Sequence, residues 1–351
     1  MTDKYYYWKC EKMSSAISFL RFPLTVFIVM YHCYCVQTPI NQPIYAAMTY
    51  PFGLIIGETG VPAFFFISGF LFFYSQRTYS QKLRTRITTL LIPYIFWNSL
   101  ILFVYVILML IGHPQEIAGK SISNFQLQDY IRAFIDRGNW DRGNGQPMLC
   151  PYWYVRNLLI LSLLSPFIKL IMKKGIGILC LFVLAFWWIS LPYNGMIAQS
   201  LLFFCMGSYF SINKIDILSL MSGKATKILT FAWFLFLFLD WSTHFIFYIK
   251  EGLYIHRLVL IFNIFIILYY GWNLSQSHHW PTLLDRSCFW IYTTHFPLTI
   301  IVRFCRPNIS DIAQITLYWS SIAFVIMTCI IIYYLANKLA PRIVAITMGN
   351  R

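Results

Sequence analysis

Two ionisable residues in the first apolar segment are the clearest candidates for chemistry. Arg21 and His32 are eleven residues apart. That is almost three helical turns, so both side chains lie on one helix face, about 16 Å apart along the axis. Ionisable groups inside a membrane are costly and by default mark a functional site. An arginine near a membrane end is also commonly an anchor, and a histidine a packed polar residue. The pair alone leaves both interpretations open.

The composition indicates that these residues belong to a membrane protein. Of 351 residues, 59% are hydrophobic, 19% are aromatic and only 11% are charged, whereas about a quarter of the residues of soluble proteins are charged. Apolar runs near the bilayer-spanning length of about 20 residues recur from end to end. We therefore expect an all-α, polytopic integral membrane protein that forms one domain over residues 1–351.

Ten apolar segments predict ten transmembrane helices. Their approximate limits are 17–36, 52–74, 87–111, 152–172, 175–191, 196–212, 228–247, 253–273, 287–304 and 313–336. A cytoplasmic N-terminus places eighteen of the 27 basic residues on the inner side, as the positive-inside rule expects. The net charge of +15 then reflects topology and needs no nucleic acid to explain it.

The nine cysteines show no spacing that is typical of a metal cluster. Cys150 is the clearest thiol in an outer loop and has no obvious partner there. We expect neither a metal nor a structural disulfide.

One long segment interrupts the pattern of spans. Residues 112–151 form a forty-residue outer loop with carboxylates, arginines and Trp140, and 126–135 predicts a short amphipathic helix. Loops of this length are usually functional or disordered. Aromatic and charged side chains suit carbohydrate hydroxyls and ring faces, and the alternative is a solvated connector.

Further polar residues fall at membrane depth. Those in the outer half could face one water-filled vestibule; they are Glu58, Asp240, His244, His256 and Arg257. An ion pair between Asp240 and Arg257 is the structural alternative. His295 lies in the middle of a late span, where a hydrogen bond between helices explains it as well as catalysis does.

Six motifs follow one another along the chain. They are Arg21 with His32, Phe-Phe-Phe-Ile-Ser-Gly-Phe at 64–70, Lys-Leu-Arg-Thr-Arg at 82–86 with Leu-Ile-Pro-Tyr-Ile-Phe-Trp at 91–97, Tyr-Trp-Tyr-Val-Arg-Asn-Leu at 152–158 with Leu-Leu-Ser-Pro at 163–166, Ile-Tyr-Thr-Thr-His-Phe-Pro at 291–297, and Thr-Met-Gly-Asn-Arg at 347–351. Together and in this order they resemble the acyltransferase-3 membrane proteins, which acylate bacterial glycans. The resemblance covers nearly the whole chain. The family's basic loop often reads Arg-x-x-Arg, so which of Lys82, Arg84 and Arg86 contacts the donor is left open.

The resemblance implies an O-acyltransferase of the bacterial inner membrane. The donor would be cytoplasmic acyl-CoA, most commonly acetyl-CoA, and the acceptor a hydroxyl of a cell-surface or lipid-linked glycan. Charge-assisted contacts to the donor phosphates would come from Arg21, Lys82, Arg84 and Arg86.

His32 would act with Arg21 as the catalytic pair, either as a general base or as a nucleophile that carries the acyl group. The residues that we expect to contact the acceptor are Glu58, Trp140, Trp153, Arg156, Arg257 and His295.

A rival class of function is an exporter or flippase for polysaccharides or lipid-linked sugars that transfers no acyl group. It would share the ten spans, the buried charges and the aromatic outer loop. It would not need a basic patch together with a histidine that is aligned on one helix face. Dependence on acyl-CoA separates the two classes.

Overall fold

A computed structural model describes most of the chain. The described residues are 2–37, 42–113, 116–117, 119–137, 145–191, 195–221, 223–246, 252–304 and 309–349. For residues 2–11, 35–37, 252 and 303–304 the description covers the backbone only. Trp140, which we expect to contact the acceptor, lies outside the described residues.

The described chain is almost wholly helical, which confirms the all-α prediction. In chain order the helices are α1 (Thr2–Gln37), α2 (Pro43–Tyr50), α3 (Gly60–Tyr74), α4 (Tyr79–Arg86), α5 (Ile92–Leu110), α6 (Leu127–Ile135), α7 (Trp153–Leu163), α8 (Ser165–Ile171), α9 (Lys174–Ser190), α10 (Met196–Ile212), α11 (Ile217–Leu220), α12 (Lys224–Phe245), α13 (Gly252–Ser275), α14 (Thr282–Phe304), α15 (Asp311–Leu339) and α16 (Pro341–Thr347). Wider π-helical turns at Pro51–Ile56 and Ile87–Leu91 lead into α3 and α5, and tight 3₁₀ turns lie at Ile122–Asn124 and Cys150–Tyr152. One antiparallel pair joins β1 (Glu116–Ile117) to β2 (Lys120–Ser121).

The helices agree with a chain that crosses the membrane several times. Within the described residues, six stretches are long and apolar enough to span it: Lys12–Tyr34, Pro43–Tyr74, Tyr79–Leu110, Lys224–Phe245, Leu253–Ser275 and Asp311–Leu339. The bent pair Cys150–Leu163 and Ser165–Ile171 makes seven if it counts as one span. The remaining three predicted spans correspond to α9, α10 and α14. Every predicted span is thus helical, and the count of ten stays a prediction.

The described chain divides into two compact units. The first unit is Met1–Ser75 with Pro166–Ile331, and the second unit is Gln76–Ser165 with Ile332–Arg351. In the first unit, α3 and α10 cross at two glycines. An added Cβ at Gly69 would overlap the carbonyl of Phe204, and one at Gly207 would overlap the carbonyl of Phe66. Small residues allow the backbones of membrane helices to approach closely, and Gly69 and Gly207 have this role here.

Three further glycines hold the start of α3 against α1. A Cβ added at Gly53 would overlap the ring of Tyr34, one at Gly57 would lie 2.9 Å from the Tyr31 nitrogen, and one at Gly60 would lie 2.8 Å from Ile28 Cγ1. The glycine numbers increase from 53 to 60, while the numbers of the residues that they contact on α1 decrease from 34 to 28. The two segments are therefore antiparallel, and the level of Tyr31 and His32 on α1 coincides with that of Gly57 and Glu58.

Helix α1 continues through Pro23 because a neighbour compensates for it. Proline has no N–H, so the carbonyl four residues earlier loses its helical donor. That carbonyl belongs to Phe19, and Trp280 Nε1 donates to it at 2.9 Å. The Thr25 hydroxyl donates to the Arg21 carbonyl at 2.8 Å. The helix can therefore carry Arg21 and His32 on one continuous backbone.

The long loop of the second unit forms a small core against α5. Its buried side chains are Ile117, Ile122, Ala133 and Met148. Helix α6 confirms the predicted amphipathic helix, and Asp129 caps it by accepting from the Gln126 nitrogen at 2.7 Å. Lys120 Nζ lies 2.6 Å from the Asp129 carboxylate, and this hydrogen bond lowers the pKa of Asp129. The described part of the loop is thus ordered by packing rather than a solvated connector.

The C-terminal segment folds back inside the second unit. Trp97 Nε1 donates to the Thr347 carbonyl at 3.1 Å. Gly349 has a φ of +72°, and an added Cβ there would lie 2.5 Å from the Thr89 carbonyl oxygen. Only glycine adopts this backbone conformation without strain. The tail therefore packs just after the predicted donor loop.

Candidate functional site

His32 lies in a pocket of aromatic rings inside the first unit. Its side chain is half-buried, and its ring centroid lies 5.1 Å from that of His295, 5.0 Å from that of Phe296 and 5.3 Å from that of Tyr31. His295 and Phe296 belong to α14, so the first and the late sequence motifs meet here. His32 and His295, whose roles the sequence left open, are therefore in contact distance of one another.

The hydrogen bonding of His295 fixes its tautomer. The side chain is fully buried, and Nδ1 lies 2.9 Å from the Ile291 carbonyl. A carbonyl oxygen can only accept, so Nδ1 carries the proton. In the neutral ring Nε2 then has a free lone pair, and it has no hydrogen-bond partner among the described residues. A buried acceptor without a donor is costly in a resting protein and indicates a place where a ligand or a reacting group donates.

Arg21 stands on the same helix as His32. Its side chain is exposed, which suits a cation that meets an anionic ligand or the membrane surface. The exposure of Arg21 is therefore compatible with both roles, a membrane anchor and a cation that binds a ligand. Its contribution to donor binding stays a prediction.

A second polar cluster occupies the ends of α2, α12 and α13 within the first unit. His256 lies between two carboxylates: Nδ1 is 2.8 Å from Asp240 Oδ2, and Nε2 is 3.3 Å from Glu58 Oε2. The Tyr50 hydroxyl donates to Asp240 Oδ1 at 3.1 Å and lies 3.1 Å from His244 Nδ1. The expected vestibule residues Glu58, Asp240, His244 and His256 are therefore in one network, and Tyr50 is the member that the sequence did not identify.

Arg257 binds backbone carbonyls rather than Asp240, which the sequence suggested as its ion-pair partner. Its guanidinium donates to the carbonyls of Trp188, Ile189 and Leu191, at 3.2 Å for Ile189 and 2.7 Å for Leu191, and lies 5.4 Å from the centre of the Trp188 ring. The last carbonyls of a helix have no intrahelical donor and carry partial negative charge. Arg257 thus caps the C-terminus of α9, while Asp240 is held by Tyr50 and His256.

The predicted donor loop forms a basic pocket in the second unit. The pocket is open and has a volume of about 450 Å³, and its lining consists of Arg77, Gln81, Arg84, Thr85 and Thr88. A capping box of Thr78 and Gln81 starts α4, and Arg84 lies in the last turn of this helix. Arg84 is exposed, whereas Lys82 and Arg86 are half-buried. The structure thus brings Arg84 together with Arg77, a residue that the motif did not include because it precedes the helix.

Trp153 and Arg156 lie at the start of α7 in the second unit. Both side chains are half-buried. Arg156 donates to the Ile135 carbonyl, to the Gly145 carbonyl at 3.0 Å and to Asn157 Oδ1 at 2.9 Å. It therefore joins the end of α6 to the returning loop. Its expected contact with the acceptor, like that of Trp153, stays a prediction.

The described residues contain no group of three or more His, Cys, Asp or Glu side chains arranged to hold a metal ion. The six cysteines that the structure describes as free thiols are Cys33, Cys150, Cys180, Cys205, Cys288 and Cys329. All six are buried or half-buried, so they suit packing between helices.

Comparison with known proteins gives a family match and a relative. The model of a family described as an acyltransferase domain matches residues 14–336. The succinoglycan biosynthesis protein ExoH of Rhizobium meliloti (strain 1021) is 23% identical over 317 residues, which cover 85% of this chain and 82% of that protein. No solved structure matches the chain significantly.

Proposed function

The chain belongs to the acyltransferase domain family and is a multi-pass membrane acyltransferase, and from this premise we propose its reaction. It moves an acyl group, most simply acetyl, from cytoplasmic acyl-CoA to a hydroxyl of a cell-surface or lipid-linked glycan. The observation that carries the proposal is the pair of imidazoles of His32 and His295, 5.1 Å apart inside the helical first unit. The membrane is the bacterial inner membrane, with the N-terminus in the cytoplasm.

The donor is held through its phosphates. Arg84 and Arg77 line an open basic pocket, and guanidinium groups bind phosphate by charge-assisted, often bidentate hydrogen bonds. Lys82, Arg86 and Arg21 add positive charge to donor binding. Coenzyme A is an anionic cytoplasmic molecule, so the proposal needs these basic residues on the cytoplasmic side.

His32 acts on the acyl carbon or on the hydroxyl that attacks it. As a base it would take the proton of the acceptor hydroxyl, and as a nucleophile it would carry the acyl group. A neutral imidazole serves either role near neutral pH. The free lone pair of His295 Nε2 supports both, because it can accept a proton from His32 or a hydrogen bond from the reacting group.

The acceptor is a glycan in this proposal. The matched relative is named for succinoglycan biosynthesis, and the polar cluster of the first unit offers groups that suit sugar hydroxyls. The residues that we assign to the acceptor are Glu58, Trp140, Trp153, Arg156, Arg257 and His295. Of these, Arg156 and Arg257 are held by backbone carbonyls, so their role is to shape the site as much as to bind.

The test uses purified protein and radiolabelled acetyl-CoA. The wild type should hydrolyse the thioester slowly or exchange its acetyl group with free CoA. His32→Ala should lower this rate by about 10² to 10⁴ if the residue is a base, and almost completely if it is the carrier. His279→Ala is the matched control, since that side chain is exposed. A protein that is indifferent to acyl-CoA would be an exporter, and a folded His32→Ala variant with near-normal rates would end the proposal.

A further inference from the structure

The cluster beside α1 is a linear array of three side chains rather than a loose group of polar residues. The imidazole of His256 stands between the Asp240 carboxylate, 2.8 Å from Nδ1, and the Glu58 carboxylate, 3.3 Å from Nε2. Asp240 comes from α12, His256 from α13, and Glu58 from the turn before α3. Three separate segments of the chain thus converge on one imidazole.

The hydrogen bonds fix where most of the protons in this array are. Tyr50 donates its hydroxyl proton to Asp240 Oδ1, and His256 Nδ1 faces Asp240 Oδ2. An ionised carboxylate only accepts, so with Asp240 as a carboxylate both contacts are donated to it and His256 Nδ1 carries a proton. Because the Tyr50 proton is already engaged, the contact between Tyr50 and His244 is donated by His244 Nδ1.

The contact between His256 and Glu58 needs one further proton. Either Nε2 carries it and Glu58 accepts as a carboxylate, or Glu58 carries it and Nε2 accepts. The two arrangements have the same geometry, and the proton can move between these atoms without any other movement. The array therefore has the geometry of a proton relay, with the mobile proton at the Glu58 end.

Accessibility falls along the same line. The relative exposure of the side chains is 18% for Glu58, 7% for His256 and 0% for Asp240. A ligand can therefore reach the array at Glu58, whereas Asp240 is sealed. Asp240 already provides a partner for the His256 imidazole. Glu58 adds a second carboxylate, and burying another ion costs desolvation energy. Packing of the three segments alone does not require this second carboxylate.

The position of Glu58 relates the array to His32. Gly57 is in contact with the backbone of α1 at Tyr31, one residue before His32. Glu58 is thereby held at the level of α1 that carries His32, on a segment that glycines press against that helix. The relay and the imidazole pair therefore lie at the same depth of the first unit.

We propose that Glu58 is the base that takes the proton of the acceptor hydroxyl, with His256 and Asp240 as residues that position it and share that proton. This inference rests on the proposed acyl transfer in the form in which His32 carries the acyl group, since the acceptor hydroxyl has one proton to lose and needs one base. The hydroxyl oxygen forms a bond to the acyl carbon and its proton passes to Glu58. The bond from that carbon to the His32 nitrogen breaks, and the nitrogen keeps the electron pair and takes a proton from water. The relay later returns its own proton to water.

The test compares two acceptors in proteoliposomes that contain acetyl-CoA. Methyl glucoside offers a hydroxyl that must lose its proton to react. Hydroxylamine has a nitrogen that attacks without a base, and its product is a hydroxamate. Glu58→Gln keeps the shape but cannot take a proton. It should lower acetylation of methyl glucoside by about 10² to 10⁴ and lower hydroxamate formation far less, by roughly twofold. Glu116→Gln, an exposed carboxylate in the second unit, is the matched control.

Two further variants guard against a folding artefact. Glu58→Ala should regain part of its sugar acetylation when formate is added, because formate supplies the missing carboxylate, and a purely structural residue would not respond. Asp240→Asn should lower sugar acetylation while leaving hydroxamate formation closer to that of the wild type.

The outcomes separate the relay from the proposed function. An equal loss of both products in Glu58→Gln without rescue by formate would make the residue structural and overturn the relay. Sugar acetylation within about threefold of the wild type would overturn it as well. A wild type that forms neither product would overturn the acyl transfer itself, and the relay with it.

Discussion

The rings of His32 and His295 lie 5.1 Å apart at a tilt of 43°, with His32 on α1 and His295 on α14. His295 is bound to the Ile291 carbonyl through Nδ1, so its orientation does not depend on His32. Because like charges repel at this distance in a buried site, a positive charge on one ring opposes a positive charge on the other.

His295→Asn removes the Nε2 lone pair and keeps a polar side chain of smaller size. If that nitrogen accepts from His32 or from the reacting group, acyl transfer should fall by roughly 10- to 150-fold, which corresponds to about 1.5–3 kcal/mol for a hydrogen bond to a charged group. The measurement is the acetyl-CoA exchange rate, with His279→Ala as control. Unchanged exchange in a folded variant would leave His295 a packing residue.

The double change Arg77→Ala and Arg84→Ala should weaken binding of CoA. Each lost phosphate contact should cost about 1.5–3 kcal/mol, and the remaining affinity should depend less on salt. Calorimetric titration with CoA measures both effects, and Lys224→Ala, a basic residue that is exposed in the first unit, is the control. Equal affinity in the double variant would exclude the basic pocket from the donor site.

Orientation can be tested with two introduced thiols. Ser123 and Ala225 are both exposed, the first in the long loop and the second at the start of α12. The predicted topology places position 123 outside and position 225 inside. An impermeant maleimide on intact cells should therefore label Ser123→Cys and not Ala225→Cys. The opposite pattern would reverse the proposed direction of transfer.

The crossing of α3 and α10 predicts a strong effect of one methyl group. Gly207→Ala would place Cβ against the Phe66 carbonyl, and relieving such a clash costs roughly 1–3 kcal/mol or more. Gly175→Ala is the matched control because nothing lies within 4 Å of the added atom. Thermal unfolding in detergent should show a lower Tm only for Gly207→Ala. Equal Tm values would mean that the helices separate without cost.

The long loop should lose order in acid. The hydrogen bond from Lys120 holds the pKa of Asp129 below its ordinary value. The folded pKa is therefore lower than the unfolded value of about 3.9, so the stabilisation is complete above that value and is lost as the pH falls through the folded pKa. A spin label at Ser123 should become mobile below about pH 4, and in Asp129→Asn it should be mobile at neutral pH. A label that is as immobile in Asp129→Asn as in the parent protein at neutral pH would contradict this.

Much of the fold could be read from the sequence because membrane helices depend on a local property. A run of apolar side chains is enough to make a span, and every predicted span is helical, the one at 152–172 as a bent pair of helices. The motif histidines were recognisable for the same reason, since each belongs to a local pattern. Their meeting was not predictable from the spacing, because His32 and His295 are brought together by the packing of α1 on α14.

The partners of the buried charges could not be predicted from local sequence patterns. The sequence offers Asp240 to Arg257 as the nearest opposite charge, yet Arg257 binds the carbonyls at the end of α9. Every residue has backbone carbonyls, so a sequence pattern cannot show which of them a side chain will bind. Only the structure shows that the end of α9 lies beside Arg257. Arg77 was missed for a related reason, since it belongs to the turn before α4 rather than to the basic motif.

The row of Gly53, Gly57 and Gly60 against α1 has a mechanical consequence. Helices packed this closely resist sliding past one another, so we expect α1 and the start of α3 to move together. His32 and Glu58 are carried on these two segments and keep their mutual spacing. Any opening of the site, first towards one side of the membrane and then towards the other, must therefore come from the helices that surround this pair.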